Sequence, residues 1–230
     1  MCDLVFFNLD PDAESLDSQA PGLAQDIQDR VPELGNLRGI DSLTFGPTIA
    51  ANWKVVVDNF LECYHCAPAH PDFASLIDMS SYQMETFSNW SRQLGPDTSP
   101  DNTAYPFDSE APVQSAAFWY LWPTTTIAMF PGSPNLIVLS ILPLGHKKTS
   151  FSGYQYALDI DQDDDIRQQY QVDVLSPPDV ALCESVQRGL KSRSYDQGRF
   201  MVDSDTSGIA EHAVHQFHRL VLSALGSDGY

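Results

Sequence analysis

Four apolar, β-rich segments, 118–122, 125–130, 135–142 and 149–158, follow one another across gaps of two to six residues, each holding proline or glycine. A parallel connection needs a crossover of roughly a dozen residues or more, so gaps this short can only join antiparallel neighbours. Any fold for the chain must therefore be built around an antiparallel sheet. The last apolar-periodic segment, 208–225, carries Ile209, Ala213, Phe217, Leu220, Val221 and Ala224 at helical spacing and supplies a long C-terminal helix to lie against that sheet.

Upstream, 4–8 reads as a short strand, 22–31 as a helix with Leu23, Ile27 and Val31 on one face, and 43–49 as a strand. The first forty residues are expected to be loosely anchored. Residues 73–77 suggest a short helix and 82–94 a strand pair. Residues 95–112, rich in Pro, Asp, Ser, Thr and Asn, form the segment expected to be mobile and a candidate lid over a cavity. The acidic run from Asp161 to Asp165 starts a helix in the orientation that favours negative charge at an N-terminus, and this helix should continue to about residue 174.

At 230 residues with 43% hydrophobic residues the chain can bury one substantial core. A formal charge of -19 excludes nucleic acid and anionic membrane surfaces as partners, because twelve Lys plus Arg supply no basic footprint. A cationic small molecule suits such a field. The apolar stretch 118–144 is cut by Pro123, Pro131, Pro134 and Pro143, which excludes a membrane span. The start lacks the basic and apolar regions of a secretory signal, so the chain reads as cytoplasmic and Cys2, Cys63, Cys66 and Cys183 as reduced thiols.

The chemistry concentrates in 52–71. Trp53, Val56, Phe60, Leu61 and Tyr64 recur at steps that give a helix one buried face. His65 lies at its end, and Pro68 is expected to break the helix before His70, so that both imidazoles can face one ion. Two histidines and one carboxylate with open positions opposite is the ligand set of non-haem Fe(II) oxygenases. The carboxylate is expected from Asp179, opening a second helix after Pro177 and Pro178; Asp173 and Glu184 are its competitors. The Cys-x-x-Cys spacing of Cys63 and Cys66 allows a zinc or redox pair, but no second cysteine pair accompanies it. His212, His215 and His218 drift around their helix, which favours packing and surface roles over metal.

The sequence Asn-Trp-Lys, then Asn-Phe-Leu-Glu-Cys-Tyr-His, a second histidine five on, and an aspartate ahead of Cys-Glu-Ser-Val-Gln-Arg-Gly-Leu resembles the catalytic domain of Rieske-type non-haem iron oxygenases. Within these it is most similar to alpha subunits acting on glycine betaine, choline, carnitine and related quaternary ammonium compounds. The resemblance implies an α+β helix-grip fold of the START or Bet v1 kind, an antiparallel sheet around a long C-terminal helix. It implies a mononuclear Fe(II) held by His65, His70 and Asp179, with residues 1–40 the end of a Rieske domain and a linker and 41–230 the iron-binding catalytic domain.

The resemblance also implies a 2Fe-2S cluster held by a Cys-x-His and a later Cys-x-x-His pair. Here the first spacing occurs only inside the histidine motif, at Cys63 and His65, and the second nowhere. The cluster is therefore expected from a Rieske domain outside these residues, with a reductase supplying electrons, O2 as co-substrate and a homotrimer for the full-length form. Glu62 is either a solvated helix carboxylate or, as the resemblance implies, a bridge to the neighbouring subunit's cluster-bound histidine. Asn59 is either a structural amide or a hydrogen-bonding group near the iron. Among Phe118, Trp119, Tyr120 and Trp122, strand alternation sends some into the cavity, where aromatic faces suit a trimethylammonium group.

The function implied is Fe(II)-dependent hydroxylation and demethylation of a quaternary ammonium compound such as glycine betaine. The alternatives are an aromatic-ring-hydroxylating alpha subunit acting on another substrate, and a non-catalytic helix-grip module that binds a ligand.

Overall fold

The computed structural model describes residues 1–2, 4–40, 47–158, 162–205 and 207–226. In chain order its elements are α1 (Leu16–Gln19), α2 (Leu23–Arg30), β1 (Arg38–Gly39), β2 (Thr48–Ile49), α3 (Trp53–Phe60), α4 (Cys66–Ala69) and α5 (Pro71–Leu76). Strands β3 (Gln83–Thr86), β4 (Trp90–Gly95), β5 (Ala116–Leu121), β6 (Thr125–Met129), β7 (Asn135–Gly145) and β8 (Lys148–Ala157) follow. The chain closes with α6 (Gln162–Tyr170), a π-helical stretch (Gln171–Leu175), α7 (Ser176–Gly189) and α8 (His212–Ala224).

The strands form one sheet in the order β1-β8-β7-β6-β5-β4-β3, with β2 also paired to β8, and every pairing is antiparallel. The short gaps read from the sequence become the β5–β6, β6–β7 and β7–β8 turns. This is the α+β helix-grip arrangement that the sequence implied.

Alternation along the strands gives each face its own core. On one face Trp119, Leu121, Ile127, Met129 and Leu136 pack with Leu23 and Ile27 of α2. On the other, Tyr120 and Ile141 meet Val56, Val57 and Leu61 of the α3 segment and Ala213, Val214 and Phe217 of α8. The grip of α8 thus rests on Phe217, which is fully buried with its ring edge-on to Trp53 and Tyr120.

Several expectations are corrected. Residues 4–8 show strand-like alternation, with Val5 and Phe7 exposed while Leu4 and Phe6 rest on the α2 core, but they pair with no strand. Part of the segment expected to be loose is anchored instead: Leu23 and Ile27 of α2 are buried, and Asp26 accepts hydrogen bonds from Trp119 Nε1 (2.7 Å), Arg30 and Arg92, while most of residues 5–15 are exposed. Beyond Gly95, which ends β4, the 95–112 segment has no helix or strand of its own, as expected, but it is pinned, with Tyr105 buried and donating to the Pro131 carbonyl at 2.9 Å. Of the strand expected at 43–49, only Thr48–Ile49 falls among the described residues as β2. The Asp161 start of α6 lies outside them; the helix is described from Gln162. The final helix begins at His212, four residues later than its apolar periodicity suggested, and leaves Ile209 exposed.

Gly153 of β8 sits against β7, where a Cβ would strike the Val138 carbonyl oxygen and come within 2.7 Å of Leu139 Cα. Neither contact is a flexible side chain that could swing away. Gly153→Ala should therefore cost about 1–3 kcal/mol and lower the thermal midpoint measured by circular dichroism. Gly145→Ala, with nothing within 4 Å of the added methyl group, should leave it unchanged within error.

Candidate metal centre

The histidines are placed by two helix breaks. Asn52 caps α3, its side chain accepting from the Lys54 N–H at 3.1 Å, and the helix ends at Phe60. The chain then turns through Glu62 to His65 before α4 starts. Pro68 does not make the second break, contrary to the sequence expectation. It sits in the first turn of α4, where its missing N–H leaves no helical bond unmade. The break falls at His70, with φ -129° and ψ 63°, because the next residue is Pro71, the first residue of α5. Glu62 and His65 consequently share a turn rather than the end of a helix.

Asp179 arrives on a different kind of element from the one expected. It does not open a helix: α6, the π stretch and α7 form one continuous helical run, with Pro177 and Pro178 in the first turn of α7. Asp179 lies on the inward side of that run. Of its competitors, Asp173 is exposed and pairs with Gln169, and Glu184 accepts the Ala50 N–H at 3.0 Å.

His65, His70 and Asp179 each offer one ligand atom, all within 4.8 Å of one another, and they are the sole such group of His, Cys, Asp or Glu among the described residues. Asp179 Oδ1 lies 2.9 Å from His70 Nε2 and 3.3 Å from His65 Nε2, and it accepts from Asn59 Nδ2 at 2.7 Å. Glu62 stands behind His65, with Oε1 2.5 Å from Nδ1 and Oε2 accepting the His65 backbone N–H at 3.1 Å. The structure thus places Glu62 on His65 itself and Asn59 on Asp179.

Burial is the largest single influence on each charged group, pushing the His65 imidazolium down and the Asp179 carboxyl up. Hydrogen bonds outweigh it. With Asp179 and Glu62 on either side, His65 is held up at about 9; with His65, His70 and Asn59 around it, Asp179 is held down at about 2. The Asp179 carboxylate is therefore closed by its contacts with the two imidazoles and the Asn59 amide. A divalent cation can replace these, while Glu62 keeps the Nδ1 proton in place and fixes the ring. The donor set, two imidazoles and one carboxylate with the remaining directions open to a cavity, fits Fe(II).

The cavity is lined by Phe60, Phe73, Tyr82, Phe118, Phe130 and Phe151, with Asn59, Glu62, His65, His70 and Asp179 at the ligand cluster and Gln93 and Gln171 elsewhere in its wall. Of the four aromatics, some of which were expected there, Phe118 lines it. Trp119 points to the opposite sheet face and bonds Asp26. Tyr120 shares the face of Phe118 but packs on Phe217 and donates to the Pro123 carbonyl at 2.7 Å. Trp122, beyond the strand end, packs with Trp53 and Phe217. Phe60, Phe73, Phe130 and Phe151 were not singled out because they come from separate elements with no shared sequence signal.

The reading of four reduced thiols is also corrected. The turn that carries His65 brings Cys63 and Cys66 to a Cα–Cα distance of 4.9 Å, and they are joined as a disulfide. Cys183 stays a thiol; burial pushes it up to about 12, which makes it a packing group rather than a nucleophile. The histidines of α8 diverge as expected: His212 meets the Asp203 carbonyl, His218 pairs with Asp58 at 2.9 Å, and His215 is exposed beside Phe200.

An antiparallel sheet gripping a C-terminal helix, with two imidazoles and a carboxylate converging on one cavity, has the donor set that non-haem Fe(II) oxygenases use. The chain matches the ring hydroxylating alpha subunit (catalytic domain) family over residues 27–227, and it belongs to that family. It is 37% identical over 220 residues to the carnitine monooxygenase oxygenase subunit of Escherichia coli (strain K12), covering 94% of this chain and 58% of that protein. With the chloroplastic choline monooxygenase of Arabidopsis thaliana it shares 33% identity over 182 residues, 76% of this chain and 39% of that one. The solved structure of the quaternary ammonium Rieske monooxygenase CntA in complex with L-carnitine superposes with a TM-score of 0.79 at 34% identity, over 94% of this chain and 57% of that chain. The chain thus spans less than two thirds of the length of these relatives.

Substituting His65, His70 or Asp179 with Ala should reduce iron bound by the purified protein, measured by elemental analysis after Fe(II) loading, to background. Glu62→Ala leaves all three donors but frees the His65 ring, and should weaken Fe(II) by roughly 10–100-fold. Unchanged iron content in the three ligand variants would remove the assignment.

Proposed function

We propose that this chain is the mononuclear-iron catalytic part of a Rieske-type monooxygenase that hydroxylates an N-methyl carbon, or an adjacent C–H, of a quaternary ammonium compound. The observation that carries the reading is the convergence of His65, His70 and Asp179 on a cavity walled by aromatic rings. Fe(II) bound by these three residues would supply the activation of O2 for oxidation of an unactivated C–H bond.

The chain's own residues have separate tasks. Glu62 holds the proton at His65 Nδ1 so that Nε2 stays available as a ligand, and Asn59 orients the Asp179 carboxylate. Phe60, Phe73, Phe118 and Phe130 meet edge to face around the reaction space, exclude water and offer ring faces to a trimethylammonium group. Among the described residues no Lys or Arg lines the cavity, whereas Glu62 and Asp179 do, so a cation is the favoured guest. The names of the relatives, acting on carnitine and choline, point the same way. Glycine betaine is the preferred substrate, with carnitine and choline as substitutes; hydroxylation at its N-methyl group would release formaldehyde and leave a tertiary amine.

The reaction needs two electrons from outside the substrate. We infer that they come from a Rieske-type cluster outside these 230 residues, served by a reductase. Iron-loaded chain given O2, glycine betaine and a reductase alone should release no formaldehyde beyond a single turnover, and release should become sustained when a Rieske domain is fused or added. Sustained release without that domain would overturn this electron route. No oxidised product from glycine betaine, carnitine or choline with it, whether formaldehyde from an N-methyl group or an aldehyde or freed amine from an adjacent C–H, would overturn the substrate class.

A further inference from the structure

The wall of the cavity contains a buried hydrogen-bond donor that the protein itself leaves unused. Gln171 lines the cavity and is only 4% exposed; its Oε1 accepts from Gln155 Nε2 at 2.9 Å, while its own Nε2 has no partner among the described residues. Exchanging the amide O and N within this pair still leaves a surplus N–H, since two facing amides joined by one bond cannot satisfy each other fully. Buried donors without a partner are rare in folded proteins, so one on a side chain that lines a cavity calls for a ligand atom that a small shift of the amide would reach.

Two features of the fold direct Gln171 there. The sheet supplies a row of directly paired residues, Gln93, Phe118, Ala128, Ile137 and Gln155, running across β4 to β8 under the cavity, with Gln155 at its end holding Gln171. The helical run supplies the rotation. In an uninterrupted α-helix the eight steps from Gln171 to Asp179 would leave the two side chains about 80° apart. The stretch Gln171–Leu175 has the wider i→i+5 turn, which takes more residues per revolution and brings Gln171, Leu175 and Asp179 to the same cavity wall.

We propose that the Gln171 amide is a substrate-binding group, donating to an oxygen at the far end of the quaternary ammonium compound whose N-methyl end lies at the His65–His70–Asp179 cluster. The inference rests on the quaternary ammonium reading above and narrows it to compounds that carry such an oxygen, as a carboxylate or a hydroxyl. Gln171 thereby fixes which end of the guest faces the cluster. The aromatic wall, which cannot tell one N-methyl cation from another, does not do this.

The test is calorimetric titration of the chain with three probes: glycine betaine, which has a carboxylate; choline, which has a hydroxyl; and tetramethylammonium, which has neither. Gln171→Met removes the donor, and Gln155→Met combined with Gln171→Met removes both amides so that none is left unpaired. Both variants should bind glycine betaine, choline or both roughly tenfold or more weakly, with tetramethylammonium unchanged within about twofold. Loss for glycine betaine alone identifies the carboxylate as the acceptor, and equal loss for both shows that either oxygen serves. Oxygen-bearing probes that weaken no more than tetramethylammonium would overturn the role of Gln171 and leave the substrate class standing. A native chain that binds none of the three would overturn the class itself and this inference with it.

Discussion

The site hangs on one carboxylate oxygen. Asp179 Oδ1 draws in His70 Nε2, His65 Nε2 and the Asn59 amide, and these partners come from a segment more than a hundred residues earlier in the chain. Three donors on one acceptor overcome the desolvation of a buried carboxylate, which on its own would protonate. The same contacts fix α7 against α3 and the turns after it, so the element that holds the ligands also closes the cavity. Around this junction Glu184 accepts the Ala50 N–H and Gln187 accepts the Asn52 N–H at 2.7 Å, which tie α7 to the start of α3. The three candidate ligands are therefore held by a frame of hydrogen bonds between protein groups.

The sheet contributes by keeping two chemistries apart. On the α2 face the polar groups are consumed internally: Asp26 is shared by Trp119, Arg30 and Arg92, and Arg92 also pairs with Glu85. On the other face the strands present Phe118, Ala128, Phe130, Ile137 and Leu139, a wall that is almost free of polar atoms. A one-residue slip in β5 would exchange Phe118 for Trp119 and put an indole N–H into the cavity. Register in this sheet is thus a functional quantity as well as a structural one.

How far the sequence could be read depends on the range of the information each feature needs. The antiparallel sheet was legible because strand gaps are local, and His65, His70 and Asp179 because their pattern resembles a known family. The position of the break after α4 was misread: Pro68 lies in a first helical turn, where proline is harmless, and Pro71 sets the break through its effect on His70. The cavity aromatics were misassigned because alternation tells which residues share a face but not how far along the strand the cavity reaches. Tyr120 shares the face of Phe118 and still packs into the α8 core. The π turn at Gln171–Leu175 and the Gln155–Gln171 pair left no usable local pattern, whereas the Cys-x-x-Cys spacing of the Cys63–Cys66 disulfide was visible and set aside for want of a second cysteine pair.

The charge of the chain and the charge of the cavity act at different distances, and the distinction decides what each can select. A formal charge of -19 attracts cations of every kind, but across a solvated surface this field is screened within about 8 Å at physiological ionic strength, so it affects encounter more than recognition. Inside the cavity screening is weak. There Asp179 Oδ1 is already shared by two imidazoles and an amide, and Glu62 is committed to His65, so these oxygens attract a cationic guest by their charge while already having close partners. A metal cation can displace protons from the imidazoles and use those committed groups, whereas an organic cation cannot. The organic guest is left to the aromatic wall, whose attraction depends on ring faces and tolerates bulky N-methyl groups that a carboxylate pair would not. On the proposed function the arrangement would separate the two cations by chemistry, the metal on nitrogen and oxygen donors and the quaternary ammonium on the rings, and would let them occupy one cavity without competing for a ligand.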